Sequence, residues 1–265
     1  MPDHPPSLTS PLRRSLLLLP LAALAPLTSA RAGARQPLLL FAGAGYKRPA
    51  EALCGAFTHE TGIPVERSYG NLQQIFAQAR ASGRVDVLIG DSGFIGAARD
   101  LELPQRLPLG EGVLMLAWRR NLPGRRSGGI ADPVRDLPRL RSIALPNPQQ
   151  AIYGRAARQW LEAKDLWSAL QDRLQIVQTV PQVSAYLTTG QVDAGFLNRT
   201  EVLAVRPRLG GAIALRPGAG SYAPITIIAA LPPADQHPAT LHERERFATF
   251  LRSPLARRIL RQAGL

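Results

Sequence analysis

One stretch limits the fold more than any other. Leu38-Leu39-Leu40-Phe41-Ala42-Gly43-Ala44-Gly45-Tyr46 is an apolar run that stops at two spaced glycines. Directly after it, Ala50, Leu53, Cys54 and Phe57 recur at i, i+3, i+4 and i+7. A buried strand that feeds through a tight glycine turn into a helix has this pattern. Such a turn presents backbone N–H groups at the positive end of a helix, where an anion is stabilised.

The same rhythm continues. The first helix is expected from Arg48 or Pro49 to Glu60, with Gly62 as its stop. Ile63 to Ser68 reads as a strand, Tyr69-Gly70-Asn71 as a turn, and Ile75, Phe76 and Ala79 as one face of a second helix. Val85 to Ile89 is a third strand, closed by Gly90-Asp91-Ser92-Gly93 and followed by a short helix from Phe94 to Arg99. A long apolar strand, Gly112 to Arg119, precedes a Pro/Gly/Arg-rich stretch from Asn121 to Pro138. The rhythm then restarts: strand from Ser142, a Pro146 to Gln150 turn, a helix bearing Tyr153, Ala156, Ala157, Trp160 and Leu161, and further strands at Gln175 to Thr179 and Ala194 to Leu197. Two amphipathic helices close the chain. Alternating strands and helices imply a parallel sheet with helices on both faces. The restart near residue 120 implies two α/β lobes with a ligand cleft between them.

Residues 1–32 stand apart. Arg13-Arg14 precede the apolar run Leu16 to Ala25, and Ala30-Arg31-Ala32 supplies a small-residue exit before Gly33. This reads as a cleaved secretory signal peptide, and Arg13-Arg14-Ser15-Leu16-Leu17 also fits a twin-arginine export signal. The apolar run is short and broken by prolines, which argues against a membrane anchor. Cys54, the single cysteine, leaves no internal disulfide, and its spacing places it on a buried helix face.

Several function classes lose support at this level. The net charge of +13 is carried almost wholly by arginines scattered singly or in pairs, without the aromatic-interleaved basic runs of nucleic-acid binders. Gly43-Ala44-Gly45 carries two glycines of a dinucleotide fingerprint, but Arg48 stands at the third. Metal-hydrolase, zinc and serine-nucleophile motifs are absent, so no catalytic residue, metal site or cofactor is assigned. His59, His237 and His242 fall on polar helix faces or in a loop, and Asp86 and Asp91 fit turn and capping roles. What the ends of the strands carry is neutral and polar: Asn71, Gln73, Gln74, Gln149, Gln150, Asn198 and Thr200. Amides, hydroxyls and backbone N–H groups hold an oxyanion without neutralising it.

In four places the chain resembles the periplasmic solute-binding proteins of ABC importers, most closely the molybdate-binding family. They are Phe41-Ala-Gly-Ala-Gly45 with its helix; Glu60-Thr-Gly-Ile-Pro-Val65 running through to Val85-Asp86-Val-Leu-Ile-Gly-Asp91; Leu145-Pro-Asn-Pro with Ile152-Tyr153-Gly-Arg-Ala-Ala157; and Val180 through Gly190-Gln-Val-Asp-Ala-Gly195-Phe-Leu. The likeness spans Pro37 to Leu265. It implies a type II periplasmic binding protein: two Rossmann-like lobes joined by crossover strands, 33–117 with 224–265 in one and 118–223 in the other. It further implies a monomer without enzymatic activity or nucleic-acid partner, which closes on a small oxyanion such as molybdate or tungstate and delivers it to an inner-membrane permease. In that family, serine hydroxyls, backbone N–H groups at helix starts and a second-lobe tyrosine hold the anion. The matching positions here are the Gly43, Ala44, Gly45 and Tyr46 loop, Gly70, Asn71, Gln150, Val180 and Asn198. The chain departs from the pattern where Gly45 replaces a serine, Tyr69-Gly70-Asn71 a serine-rich loop, and Asn198 the tyrosine. Backbone donors are compatible with all three changes. A binding protein of the same fold for another small solute, one serving a membrane sensor, and an exported enzyme using Asp91 with Tyr69 or Tyr153 are the alternatives.

Overall fold

The computed structural model describes residues 36–122 and 129–265. The segment expected to be a signal peptide, with its cleavage pattern, lies outside them, as does the middle of the Asn121 to Pro138 stretch. Among the described residues no helix is long and apolar enough to cross a membrane.

The opening stretch forms β1 (Leu38–Gly43), a single 3-10 turn over Ala44–Tyr46, and α1 (Lys47–Thr61). Pro49 sits in the first turn of α1, where its missing N–H costs nothing. Ala50, Leu53, Cys54 and Phe57 are its buried face, and Gly62 ends it at φ 69°, donating to the Thr58 carbonyl at 2.8 Å. β2 (Val65–Gly70), α2 (Leu72–Ser82), β3 (Val87–Asp91) and α3 (Ser92–Ala97) follow. Two more strands, β4 (Gln105–Gly112) and β5 (Leu114–Arg119), meet end to end at Val113.

The second set is α4 (Pro133–Asp136), β6 (Ile143–Pro146), α5 (Ile152–Glu162), α6 (Trp167–Leu170), β7 (Leu174–Val177), α7 (Val180–Thr189), β8 (Ala194–Asn198), α8 (Arg199–Val205) and β9 (Leu209–Ala214). The chain closes with β10 (Ile225–Leu231), α9 (Leu241–Leu251) and α10 (Pro254–Gln262).

Two five-stranded sheets result, β2-β1-β3-β10-β4 and β7-β6-β8-β5-β9, each the centre of one lobe. Both are mixed, which corrects the all-parallel expectation. β1 runs parallel to β2 and β3, and β6 to β7 and β8, but β10 is antiparallel to β3 and β4, and β5 to β8 and β9. The antiparallel strands are those entered directly from the other lobe, so no helical crossover reverses them. The continuous apolar run Gly112 to Arg119 conceals the change of sheet. β5 pairs along its whole length with the second sheet, so the switch falls at Val113 rather than at 117/118. β4 is hidden in the sequence because its single proline, its two glycines and its charges obscure the alternation.

The crossovers are tied to each other. The Tyr222 hydroxyl accepts from Leu114 N at 3.2 Å and donates to the Leu215 carbonyl at 2.7 Å. On the outer side of the first sheet, Phe57 of α1 meets Phe247 of α9 edge to face, ring centroids 4.9 Å apart. Fully buried Asp86 knits the same lobe: it accepts from Leu39 N, the Arg84 guanidinium and the Thr240 hydroxyl, with buried Arg244 at 4.0 Å.

Cys54 lies fully buried in α1, and burial pushes its thiol up to about 12, Arg67 only partly opposing this. At pH 8 the thiolate is therefore scarce and shielded. A thiol reagent such as DTNB is expected to leave the native protein unlabelled and to titrate Cys54 fully in urea. Rapid native labelling would contradict this packing.

Candidate functional site

Between the lobes lies a cavity of about 30 Å³. The first lobe supplies Gly43, Ala44, Gly45 and Tyr46 from the turn after β1, and Gly70, Asn71 and Leu72 from the β2–α2 junction. The second supplies Gln150 to Tyr153 at the start of α5, and Gln178, Thr179 and Val180 at the start of α7. The lining contains no charged side chain.

Each wall is a helix beginning. α2, α5 and α7 start at the cavity, and the Ala44–Tyr46 turn leads into α1. First-turn N–H groups have no partner inside their own helix and carry the positive end of its dipole. Local sequence builds these starts firmly. Asn71 and Gln74 form a capping box on α2, with Asn71 Oδ1 accepting from Gln74 N at 2.9 Å and Gln74 Oε1 from Asn71 N at 3.1 Å. Gln182 closes back on Thr179 N at 3.0 Å, and Pro181 in the first turn of α7 removes a donor the helix does not need.

Two tyrosine hydroxyls stand out. Tyr46 and Tyr153 are each 2% exposed, their ring centroids are 6.2 Å apart, and neither hydroxyl has a hydrogen-bond partner. Burial raises both well above the usual phenol range, so both remain protonated. Their titrations perturb each other, yet they form no hydrogen bond of normal geometry. A buried, unpartnered hydroxyl is expensive, and two in one cavity amount to stored hydrogen-bonding capacity. The Tyr153 hydroxyl also reaches the lobe junction: a Cβ on Gly112 would come within 2.5 Å of it.

The lobes touch around the cavity. Asn71 Nδ2 donates to Gln150 Oε1 at 3.1 Å and Gln178 Oε1 at 3.4 Å, and Leu72 N to the Gln150 carbonyl at 3.3 Å. Arg155 of α5 lies 3.9 Å over the ring of Phe94 in α3. Asn198 Nδ2 donates to the Gly45 carbonyl at 2.8 Å.

Of the residues expected from sequence, Gly43, Ala44, Gly45, Tyr46, Gly70, Asn71, Gln150 and Val180 come together on this lining. Two details differ from expectation. Gln150 lies in the turn ahead of α5, whose cap is Ala151. Asn198 does not line the cavity; it caps α8 and reaches Gly45 from behind. Gln73 and Gln149 are exposed, and Asp91 caps α3 through Gly93 N and Phe94 N. Tyr69 lies off the lining, its hydroxyl donating to Glu51 at 2.8 Å. Gln178 and Thr179 join the lining without being expected from sequence, and Tyr153, expected only as a group of the enzyme alternative, joins it too. Its place on the apolar face of a helix marks Tyr153 as buried; the further signal is that a buried tyrosine still needs a partner for its hydroxyl.

A family model for bacterial extracellular solute-binding proteins matches residues 38–265. The chain belongs to that family. This binding protein is not an enzyme: the family it belongs to is one of solute-binding proteins. A curated Haemophilus influenzae protein described only as a binding protein is 26% identical over 174 residues, 65% of this chain and 70% of its own. Among solved structures, the periplasmic molybdate-binding protein of Azotobacter vinelandii is 25% identical with a TM-score of 0.71, covering 86% of this chain and 97% of its own. The sulfate-binding protein SubI of Mycobacterium tuberculosis, at 15% identity and a TM-score of 0.65 over 86% of each chain, shares the fold. The binding protein thus has the two-lobed α/β fold of type II periplasmic binding proteins.

Proposed function

We propose that this protein is the periplasmic component of an ABC importer and that it closes on molybdate or a related tetrahedral oxyanion. The observation that carries the reading is the convergence of helix starts and two unpartnered tyrosine hydroxyls on one small uncharged cavity. Neutral donors hold an anion while leaving it releasable to a permease. Size favours a compact ion: about 30 Å³ compares with about 300–1,000 Å³ for pockets that enclose drug-sized molecules. The likeness to the Azotobacter molybdate-binding protein favours molybdate or tungstate, and the shared fold with SubI keeps sulfate among the candidates. In this reading residues 1–32 are the export signal, the mature chain works as a monomer in the periplasm, and the ligand-contacting groups are Gly43 to Tyr46, Gly70, Asn71, Gln150, Tyr153 and Val180. Asn198 supports Gly45.

The cavity also argues about protonation. The Gly45 carbonyl and the Gln150 and Gln178 side-chain oxygens are each already engaged by an amide. Each of these oxygens keeps a second lone pair and both tyrosine hydroxyls accept as well as donate, so the site offers acceptors to a protonated ion, and hydrogen phosphate is compared with the fully deprotonated ions. A thermal-shift panel of molybdate, tungstate, sulfate, chromate and phosphate tests this. At a hundredfold excess over Kd, a bound ion contributes about 2.7 kcal/mol, a rise of roughly 5–10 °C for a chain of this size. Molybdate or tungstate is expected to give it. No shift with any ion would sink the oxyanion reading.

A further inference from the structure

We propose that Asn198 is a positioning residue of the solute site: its side chain is a latch that holds the lobes together in the ligand-free protein and so raises apparent affinity. This rests on the reading that the interlobe cavity is the solute site.

Asn198 is fully buried and both ends of its carboxamide are committed. Oδ1 accepts from Glu201 N at 2.9 Å, which caps α8 within the second lobe. Nδ2 crosses to the first lobe and donates to the Gly45 carbonyl at 2.8 Å. That is the shortest of the cross-lobe amide bonds, against 3.1 Å and 3.4 Å for the Asn71 contacts and 3.3 Å for Leu72 N. Gly45 is shaped for the contact. A Cβ there would stand 3.1 Å from Asn198 Nδ2, so the amide would have to give by a few tenths of an ångström, and at ordinary contact, 3.4–3.5 Å, from Val180. The same helix start makes a second grip: buried Glu201 accepts from Ser184 at 2.7 Å in its own lobe and from Arg48 of α1 at 3.4 Å.

The latch sits behind the cavity wall, so Asn198 acts on a solute through its neighbours Gly45 and Tyr153 and through the closed geometry. When the competent state is a fraction f of the free protein, apparent Kd is the intrinsic Kd divided by f. A bond made by the protein itself raises f before any solute arrives.

The two ends of the carboxamide can be separated by mutation. Asn198→Ser and Asn198→Thr both keep a capping oxygen for α8 and remove the amide that reaches Gly45. A purely structural cap predicts that both behave as wild type. The latch predicts that ligand-free wild type scatters X-rays as a compact particle and that both variants expand while melting within a few degrees of it. Asn198→Ser is further expected to weaken molybdate binding about three- to tenfold, the worth of one neutral hydrogen bond, and to regain the compact form at saturating molybdate. Ligand-free variants indistinguishable from wild type, or a wild type already as expanded as they are, would overturn the latch. If molybdate and the other oxyanions fail to bind, the solute reading falls while the ligand-free scattering still decides the latch.

Discussion

Replacing Tyr153 by Phe is expected to cost oxyanion affinity about 10- to 100-fold while leaving the ligand-free protein as stable as before or slightly more so. The two halves of that result have one origin. Within the protein the Tyr153 hydroxyl is buried without a hydrogen bond of normal geometry, so deleting it removes a desolvation penalty and no protein–protein hydrogen bond. In the complex the same hydroxyl donates to a charged oxygen, a bond of about 1.5–3 kcal/mol. Calorimetric titration with molybdate or tungstate, beside a melting curve of each free protein, reads both effects. Tyr46→Phe should behave alike, since its hydroxyl stands in the same position. A Tyr153→Phe protein that binds as tightly as wild type would remove the hydroxyls from the site. A destabilised one would mean that the hydroxyl has a partner in the free protein.

The largest loss of stability is expected at Asp86. Its carboxylate is fully buried where the start of β1, the approach to β3 and the turn before α9 converge, and it takes bonds from Leu39 N, Arg84 and Thr240. Arg244, 2% exposed, depends on it as its nearest opposite charge. Asp86→Ala would leave that guanidinium buried among carbonyls without a counter-charge, a defect that typically costs about 3–5 kcal/mol. For a chain of this length the melting temperature should fall by roughly 6–20 °C. Urea denaturation of the variant measures the loss. A change below about 1 kcal/mol would show that the carbonyl ligands of Arg244 suffice.

Much of this architecture was legible because backbone rules write it locally. The apolar run ending at Gly43 and the helical spacing from Ala50 to Phe57 locate β1 and α1, since strand and helix bury side chains with different periods. Gly62 and Gly190 ended helices where expected, because both adopt positive φ. The failures share another cause. The switch of sheet at Val113 leaves no mark in a run that is apolar on both sides of it, since strand pairing depends on partners distant in sequence. In the site, the loop from Gly43 to Tyr46 and the Asn71 helix start were visible as strand-to-helix junctions. Tyr153 was not, because periodicity reports which face is buried and is silent on whether a hydroxyl on that face finds a partner. Gly45 and Asn198 looked like two separate losses of hydroxyl. The structure makes them one contact, and no reading of either position alone reveals it.

The position of β10 has a consequence for how the protein is made. It lies between β3 and β4, so until residues 225–231 emerge, β4 has no neighbour in its sheet and β3 has one open edge. The second sheet, by contrast, is drawn entirely from residues 114–214 and is complete before β10 is synthesised. The lobe that begins the chain is therefore the last to finish folding. Its exposed strand edges, and the interlobe cavity that depends on them, wait on a segment made near the end of translation.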